Sequence, residues 1–357
     1  MFGVLRFILA LIVVLNHIPY NHFSFDLAVA AVILFYLITG HLMSLKAGEY
    51  RLRTSHPMLL FWADRFLRIY PPYLCVLTLT VVLVRIWGPS QALAPGRGTM
   101  NAACNYLLLP TNYFMFIGDG SSMRFYIPQG FSLALEEQFY ILLPLLLAYR
   151  RMIPAVAAAS LSVVAYLIVL LLHHGPITKM TGDYMIYRLL PGTLPIFILG
   201  SILANKSFAA TVTKALIVAA YAALFVTAQA TGSIGMFQIL PVCLGIVVGY
   251  AVVMILMGIR RNRVDDLIGR GAYGTFLIHF TVIWWVQKFV YPSVISNVSV
   301  AKILIATLSV AGGFLVYGVV ERPMNRLRRR FIGRFIARYP AGKAEPFPLS
   351  GRSIENS

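Results

Sequence analysis

Acidic residues are scarce in this chain: 12 Asp and Glu among 357 residues, against 30 Lys and Arg, with charged residues of both signs making up only 12%. Together with 59% hydrophobic residues and a mean hydropathy of +0.79, so low a charge density excludes an ordinary water-soluble globular domain. Cysteine is also nearly missing. Cys75, Cys104 and Cys243 lie far apart, which excludes a disulfide-stapled secreted fold and offers no metal-ligand spacing. No glycine-rich phosphate loop, HExxH pattern or internal repeat occurs, so the chemistry and architecture those patterns carry are not expected, and no metal is implied.

What the chain has in abundance is apolar runs of roughly 17 to 25 residues, long enough to cross a ~30 Å hydrocarbon core. Ten are visible, at about 4–20, 25–45, 71–87, 137–149, 153–172, 189–204, 212–230, 236–258, 271–290 and 301–320. The expectation is an all-α integral membrane protein of about ten transmembrane helices. The first run is read as a retained helix, since Arg6 interrupts it and no small-residue cleavage site follows. The fourth run is short unless its helix begins inside "FSLALEEQFYILLP" (131–144).

The net charge of +18 follows topology and gives no case for a nucleic-acid partner. With the N terminus in the cytoplasm, 22 of the 30 basic residues lie on that side, seven lie outside and Arg6 falls in the first span. This obeys the positive-inside rule and places both termini in the cytoplasm. Residues 1–330 are expected to form the membrane domain and 331–357 a basic, then disordered, cytoplasmic tail. In "ERPMNRLRRRFIGRFIAR" the basic residues are expected to meet anionic headgroups, with Phe331, Ile332, Phe335 and Ile336 dipping into the membrane. Trp284 and Trp285 read as an outer aromatic belt.

Ionisable groups at bilayer depth are the informative ones, because each costs at least ~2.5 kcal/mol at a helix centre unless it is paired or hydrated. Arg6 and His17 are eleven residues apart in "LRFILALIVVLNH"; at ~100° per residue they share a helix face, separated by about 16 Å along the axis. Singly, Arg6 reads as a snorkelling residue and His17 as a helix cap. On one face they describe a polar stripe, with an anion held at one end and a proton acceptor at the other. Arg65 and Arg68 in "WADRFLRIYPPY" precede Pro71 and Pro72, which reset the chain for the third span. They read either as topology charges, with Asp64 pairing Arg68, or as a fork for phosphate oxygens. In "IPQGFSLALEEQFY" Pro128 and Gly130 bend the chain into a helix, and Ser132 and Glu136 stand one turn apart on one face. Carboxylates there complement the helix dipole; Glu136 is also expected at the depth of His17, where a carboxylate beside an imidazole would fix its tautomer.

Three spacings resemble signatures of the membrane-bound acyltransferase-3 family: Arg-x10-His at Arg6 and His17, Arg-x-x-Arg at Arg65 and Arg68, and Pro-x-x-Trp-Ser-Leu-x-x-Glu at Pro128, Phe131, Ser132, Leu133 and Glu136. Weaker echoes extend to about residue 330, among them "AVILFYLITGHLM", "LPIFILGSILA", "GAYGTFLIHF" and "VVERPMNRL". The sequence departs from the family at Phe131 (usually Trp), Ile33 (commonly Asp), and Thr39 and His41 (Ser and Phe). The resemblance implies an integral-membrane O-acyltransferase of the bacterial inner membrane, multi-pass and surrounded by lipid. It would move an acyl group, acetyl above all, from cytoplasmic acyl-CoA to a hydroxyl of an envelope or secreted glycan, free or lipid-linked. On that reading Arg65 and Arg68 hold CoA phosphates and Arg6 lines the path. His17 is the general base, Glu136 orients it, and Ser132 donates to the acceptor or the oxyanion. Direct transfer and a transient acyl-histidine both remain open. A lone His279 in "FLIHF" is structural or lines the acceptor site. The rival reading is a secondary transporter of an anionic solute using the same arginines and a His/Glu proton relay.

Overall fold

The computed structural model describes residues 2–18, 26–90, 93, 96, 98–116, 124–149, 152–173, 184–233, 238–259, 262–290 and 297–341. Their helices are α1 (Phe2–His17), α2 (Leu27–Arg53), α3 (Pro57–Trp87), α4 (Thr99–Leu107), α5 (Gly130–Ala148), α6 (Ile153–His173), α7 (Leu190–Ile202), α8 (Phe208–Ala230), α9 (Ile239–Met257), α10 (Arg263–Gly269), α11 (Ala272–Phe289), α12 (Val298–Val316) and α13 (Arg322–Arg338). A 3-10 turn covers Thr111–Phe116, and π turns cover Tyr184–Arg188 and Tyr317–Glu321. Among the described residues the one β feature is an isolated bridge between Thr54 and Pro340.

Each of the ten apolar runs falls on a helix. Among the described residues, seven stretches are long and apolar enough to cross a membrane: α2, α3, α5, α6, α8, α9 and the continuous 298–338 rod of α12, the π turn and α13. α1 and α7 are apolar but have only 16 and 13 residues, and α11 has 18. The chain is a multi-pass, all-helical membrane protein. The fourth run does begin early, so Ser132 and Glu136 share α5.

α2 is the central helix, with α1, α7 and α9 packed around it. Helices in hydrocarbon gain little from excluding water and associate by close backbone approach, which small residues permit. A Cβ added to Gly40 of α2 would overlap the Phe197 carbonyl oxygen, and one on Gly200 of α7 would overlap the Leu37 carbonyl. Gly274 of α11 and Gly313 of α12 meet in the same way. Short α10 closes the start of α1: buried Asp265 accepts the Val4 N–H at 2.8 Å, an N-terminal donor the helix itself leaves unmatched.

At that same end α2, α3 and α13 form a stem. Thr54 Oγ1 and the Ser55 N–H both donate to the Tyr339 carbonyl, at 2.6 and 3.2 Å, and the Ala341 N–H donates to Arg53 at 3.3 Å. Inside the stem, fully buried Asp64 accepts from Arg65 Nε at 3.0 Å and from its Nη2, while Arg328 Nε lies 3.5 Å from the other carboxylate oxygen.

Four expectations are overturned here. α3 runs unbroken from Pro57 through Pro71 and Pro72, so the prolines do not restart the chain; they only remove two helix N–H donors. Asp64 pairs with Arg65 and Arg328, not with Arg68. Of the four apolar residues named for α13, Ile332, Phe335 and Ile336 pack against the main core beside α3, while Phe331, like Leu327, is exposed. Trp284 also belongs to the core: it is fully buried with Nε1 donating to the Gly88 carbonyl at 3.1 Å, while Trp285 is exposed. The expected disordered segment, 342–357, lies outside the described residues.

Gly200→Val is expected to cost about 1–3 kcal/mol by forcing α2 and α7 apart. Asp64→Ala, which strands two guanidiniums, is expected to cost about 3–5 kcal/mol. Thermal unfolding in detergent, followed by tryptophan fluorescence, measures both.

Candidate functional site

The end of α1 remote from the stem carries His17. Its Nδ1 lies 2.8 Å from the Val13 carbonyl oxygen one turn back. A carbonyl can only accept, so Nδ1 bears the hydrogen and Nε2 keeps its lone pair. The ring is exposed, and it packs against His279 and Phe280 of α11 with centroids 5.5 and 4.9 Å away. His279 is fully buried and fixed the same way: its Nδ1 lies 2.7 Å from the Phe276 carbonyl, and among the described residues its Nε2 has no hydrogen-bond partner. Two imidazoles thus sit side by side, each with Nε2 as an acceptor.

A second cluster lies toward the stem. Glu136 accepts from Tyr140 OH at 2.8 Å, one turn along α5, and from Thr39 Oγ1 of α2 at 3.3 Å. Its carboxylate also lies within electrostatic reach of Arg6 and Arg68. Those two guanidiniums interact with each other and with Glu321, whose buried Oε1 has no hydrogen-bond partner. Two arginines from α1 and α3 therefore face two carboxylates from α5 and the π turn before α13. Opposed charges of this kind offset the cost of placing any one of them at bilayer depth. Glu321 is the last residue of the π turn, and such turns recur at functional sites.

The sequence-named residues therefore divide. Arg6, Arg68 and Glu136 come together, and His17 lies with His279 at the other end of α1. Glu136 does not orient His17, because its oxygens are bonded to Tyr140 and Thr39 while the Val13 carbonyl sets the His17 tautomer. Ser132 is buried and donates its hydroxyl hydrogen to the Gln129 carbonyl at 2.9 Å. Arg65 is buried in the stem with Asp64 and its Nη1 on the Met43 sulfur, so Arg68 alone of the pair reaches the cluster.

Four residues were missed from sequence. Glu321 could have been found as one of the few carboxylates at the end of an apolar run, and Tyr140 by its i+4 spacing from Glu136. Arg188, counted only as an outer charge, places its guanidinium 5.0 Å from the Phe131 ring and donates from Nε to Tyr187 OH at 3.0 Å. Gln129 donates to the Phe276 and Leu277 carbonyls at 3.1 and 2.6 Å, tying the start of α5 to the His279 segment, and no local signal marks it. The departures are accommodated: Thr39 keeps a hydroxyl for Glu136, Ile33 packs in the core against Gly245 of α9, and Phe131 presents its face to Arg188.

No solved structure matches the chain. An uncharacterized protein of Aquifex aeolicus (strain VF5) is 29% identical over 213 residues, covering 57% of this chain and 89% of that protein. Acyltransferase MdmB of Streptomyces mycarofaciens is 26% identical over 365 residues, covering 91% of this chain and 92% of that protein. A family model described as an acyltransferase domain, Acyl_transf_3, matches residues 2–320. A match over nearly the whole length, on a helical membrane fold that joins the Arg6 and His17 ends through one helix, makes this chain an acyltransferase of the membrane-bound acyltransferase-3 family.

Proposed function

We propose that the chain is an integral-membrane O-acyltransferase that takes an acyl group, most simply acetyl, from cytoplasmic acyl-CoA and transfers it to a hydroxyl of an envelope or secreted glycan. The observation that carries the reading is α1 itself: one end supplies Arg6 to a guanidinium–carboxylate cluster, and the other presents His17 with a lone pair at Nε2. The bundle then crosses the bacterial inner membrane ten times, with both termini and the α2–α3–α13 stem in the cytoplasm, as the positive-inside distribution supports.

Arg68 meets phosphate oxygens of the donor near the stem and Arg6 lines the path. Glu136 and Glu321 balance these charges when the donor is away. The pantetheine arm extends along α1 and carries the thioester to His17. There the acceptor O–H breaks as His17 Nε2 takes its proton, the oxygen attacks the thioester carbonyl, the C–S bond breaks, and the thiolate recovers the proton from His17. Arg65 holds the stem together and does not touch the donor; Ser132 shapes the first turn of α5.

Membranes holding the chain, given acetyl-CoA and an envelope-glycan extract, are expected to release thiol. His17→Ala is expected to lower that rate by about 10²–10⁴-fold with little change in KM for acetyl-CoA. Arg68→Ala is expected to raise that KM about tenfold, as a lost charge-assisted contact should. Uptake of a labelled anion without thiol release would overturn the reading in favour of transport.

A further inference from the structure

His279 is the one fully buried imidazole in the described chain, and nothing in the transfer step so far uses it. Its surroundings narrow what it can do. The Phe276 carbonyl takes the Nδ1 hydrogen, so Nε2 can only accept, and among the described residues nothing donates to it. An unmatched buried acceptor costs about 1–3 kcal/mol, so this Nε2 is suited to taking a hydrogen from a nearby donor. The nearest ring on the side of α1 is His17, with centroids 5.5 Å apart and planes inclined by 39°. Two imidazoles joined by an N–H···N bond have centroids about 5.2 Å apart, taking ~2.9 Å for the bond and the ring radii for the rest. The observed centroid spacing is within a few tenths of an ångström of that value.

At rest both Nε2 atoms are acceptors, so no bond can form between them. That changes when His17 Nε2 receives a proton. We propose that His279 is a positioning residue for His17: its Nε2 accepts the N–H that His17 gains from the acceptor hydroxyl and holds the imidazolium in place until the proton is delivered to the departing thiolate. His279 stays neutral throughout; one O–H bond breaks, one N–H forms on His17, and the proton leaves with the thiol. The proposal rests on the acyl-transfer reading, and it gives His279 the partner role that the sequence alone had assigned to Glu136. The segment is held in place: α11 packs on α1, and Gln129 donates both to the Phe276 carbonyl that fixes His279 and to the Leu277 carbonyl next to it.

Two amide substitutions separate this role from a structural one. His279→Asn retains a donor for the Phe276 carbonyl but removes the acceptor at the Nε2 position, whereas His279→Gln retains an acceptor there and loses the Nδ1 donor. The full chain in lipid vesicles is assayed for thiol release from acetyl-CoA with the envelope-glycan extract at limiting and saturating amounts. His279→Asn is expected to lower kcat about tenfold or more with KM for acetyl-CoA unchanged, and His279→Gln to stay within about threefold of the original chain. Equal activity of His279→Asn and the original chain would overturn the proposal. So would a pattern in which His279→Gln is the damaged variant with a lowered thermal midpoint, since that marks the Phe276 bond as the whole role. Thiol release by the original chain that His17→Ala leaves intact would instead sink the acyl-transfer reading, and this inference with it.

Discussion

Charge at bilayer depth is tolerated only when it is answered, and that constraint organises this molecule. Arg6 and Arg68 could not stand where they do without Glu136 and Glu321, and bringing those four residues together requires α1, α3, α5 and the α12–α13 rod to converge. The glycine contacts at Gly40, Gly200, Gly274 and Gly313 then set how closely the surrounding helices can approach. Packing and electrostatics act at different places in the bundle, and the functional reading depends on the electrostatic part.

The two ends of α1 differ in chemical character. Toward the stem, Arg6 and Arg68 have Glu136 and Glu321 within electrostatic reach, a setting suited to exchanging protein carboxylates for donor phosphates. At the far end the tautomers of His17 and His279 are fixed by main-chain carbonyls, and Asp26 and Arg188 lie within electrostatic reach of His17. A base fixed by its own helix needs no carboxylate beside it, which frees Glu136 for the arginine cluster.

Much of this was legible in the sequence. The ten apolar runs each lie on a helix, the shared face of Arg6 and His17 follows from their eleven-residue spacing, and Ser132 and Glu136 do occupy one helix. These are one-dimensional properties, set by hydropathy and helical period. What failed was depth and partner choice between helices. Asp64 had two plausible arginines, and only the docking of α13 against α3 decides for Arg65 and Arg328. Trp284 carries the same composition signal as an interfacial tryptophan, but the Gly88 carbonyl offers its indole a buried acceptor. Pro71 and Pro72 signal a break locally, whereas surrounding helices keep α3 continuous. The pairing of His17 with His279 joins residues far apart in sequence, beyond the reach of any periodicity argument.

The absence of a break between α12 and α13 has a mechanical meaning. Because the π turn changes the winding without interrupting the helix, residues 298–338 behave as one lever, pinned at its lower part by the Asp64 pair and the Tyr339 contacts. Its upper part lies against Thr275 of α11, one turn from His279. A continuous helix carries a tilt along its length, so the rod links the Asp64 and Tyr339 contacts to α11 without running through α1.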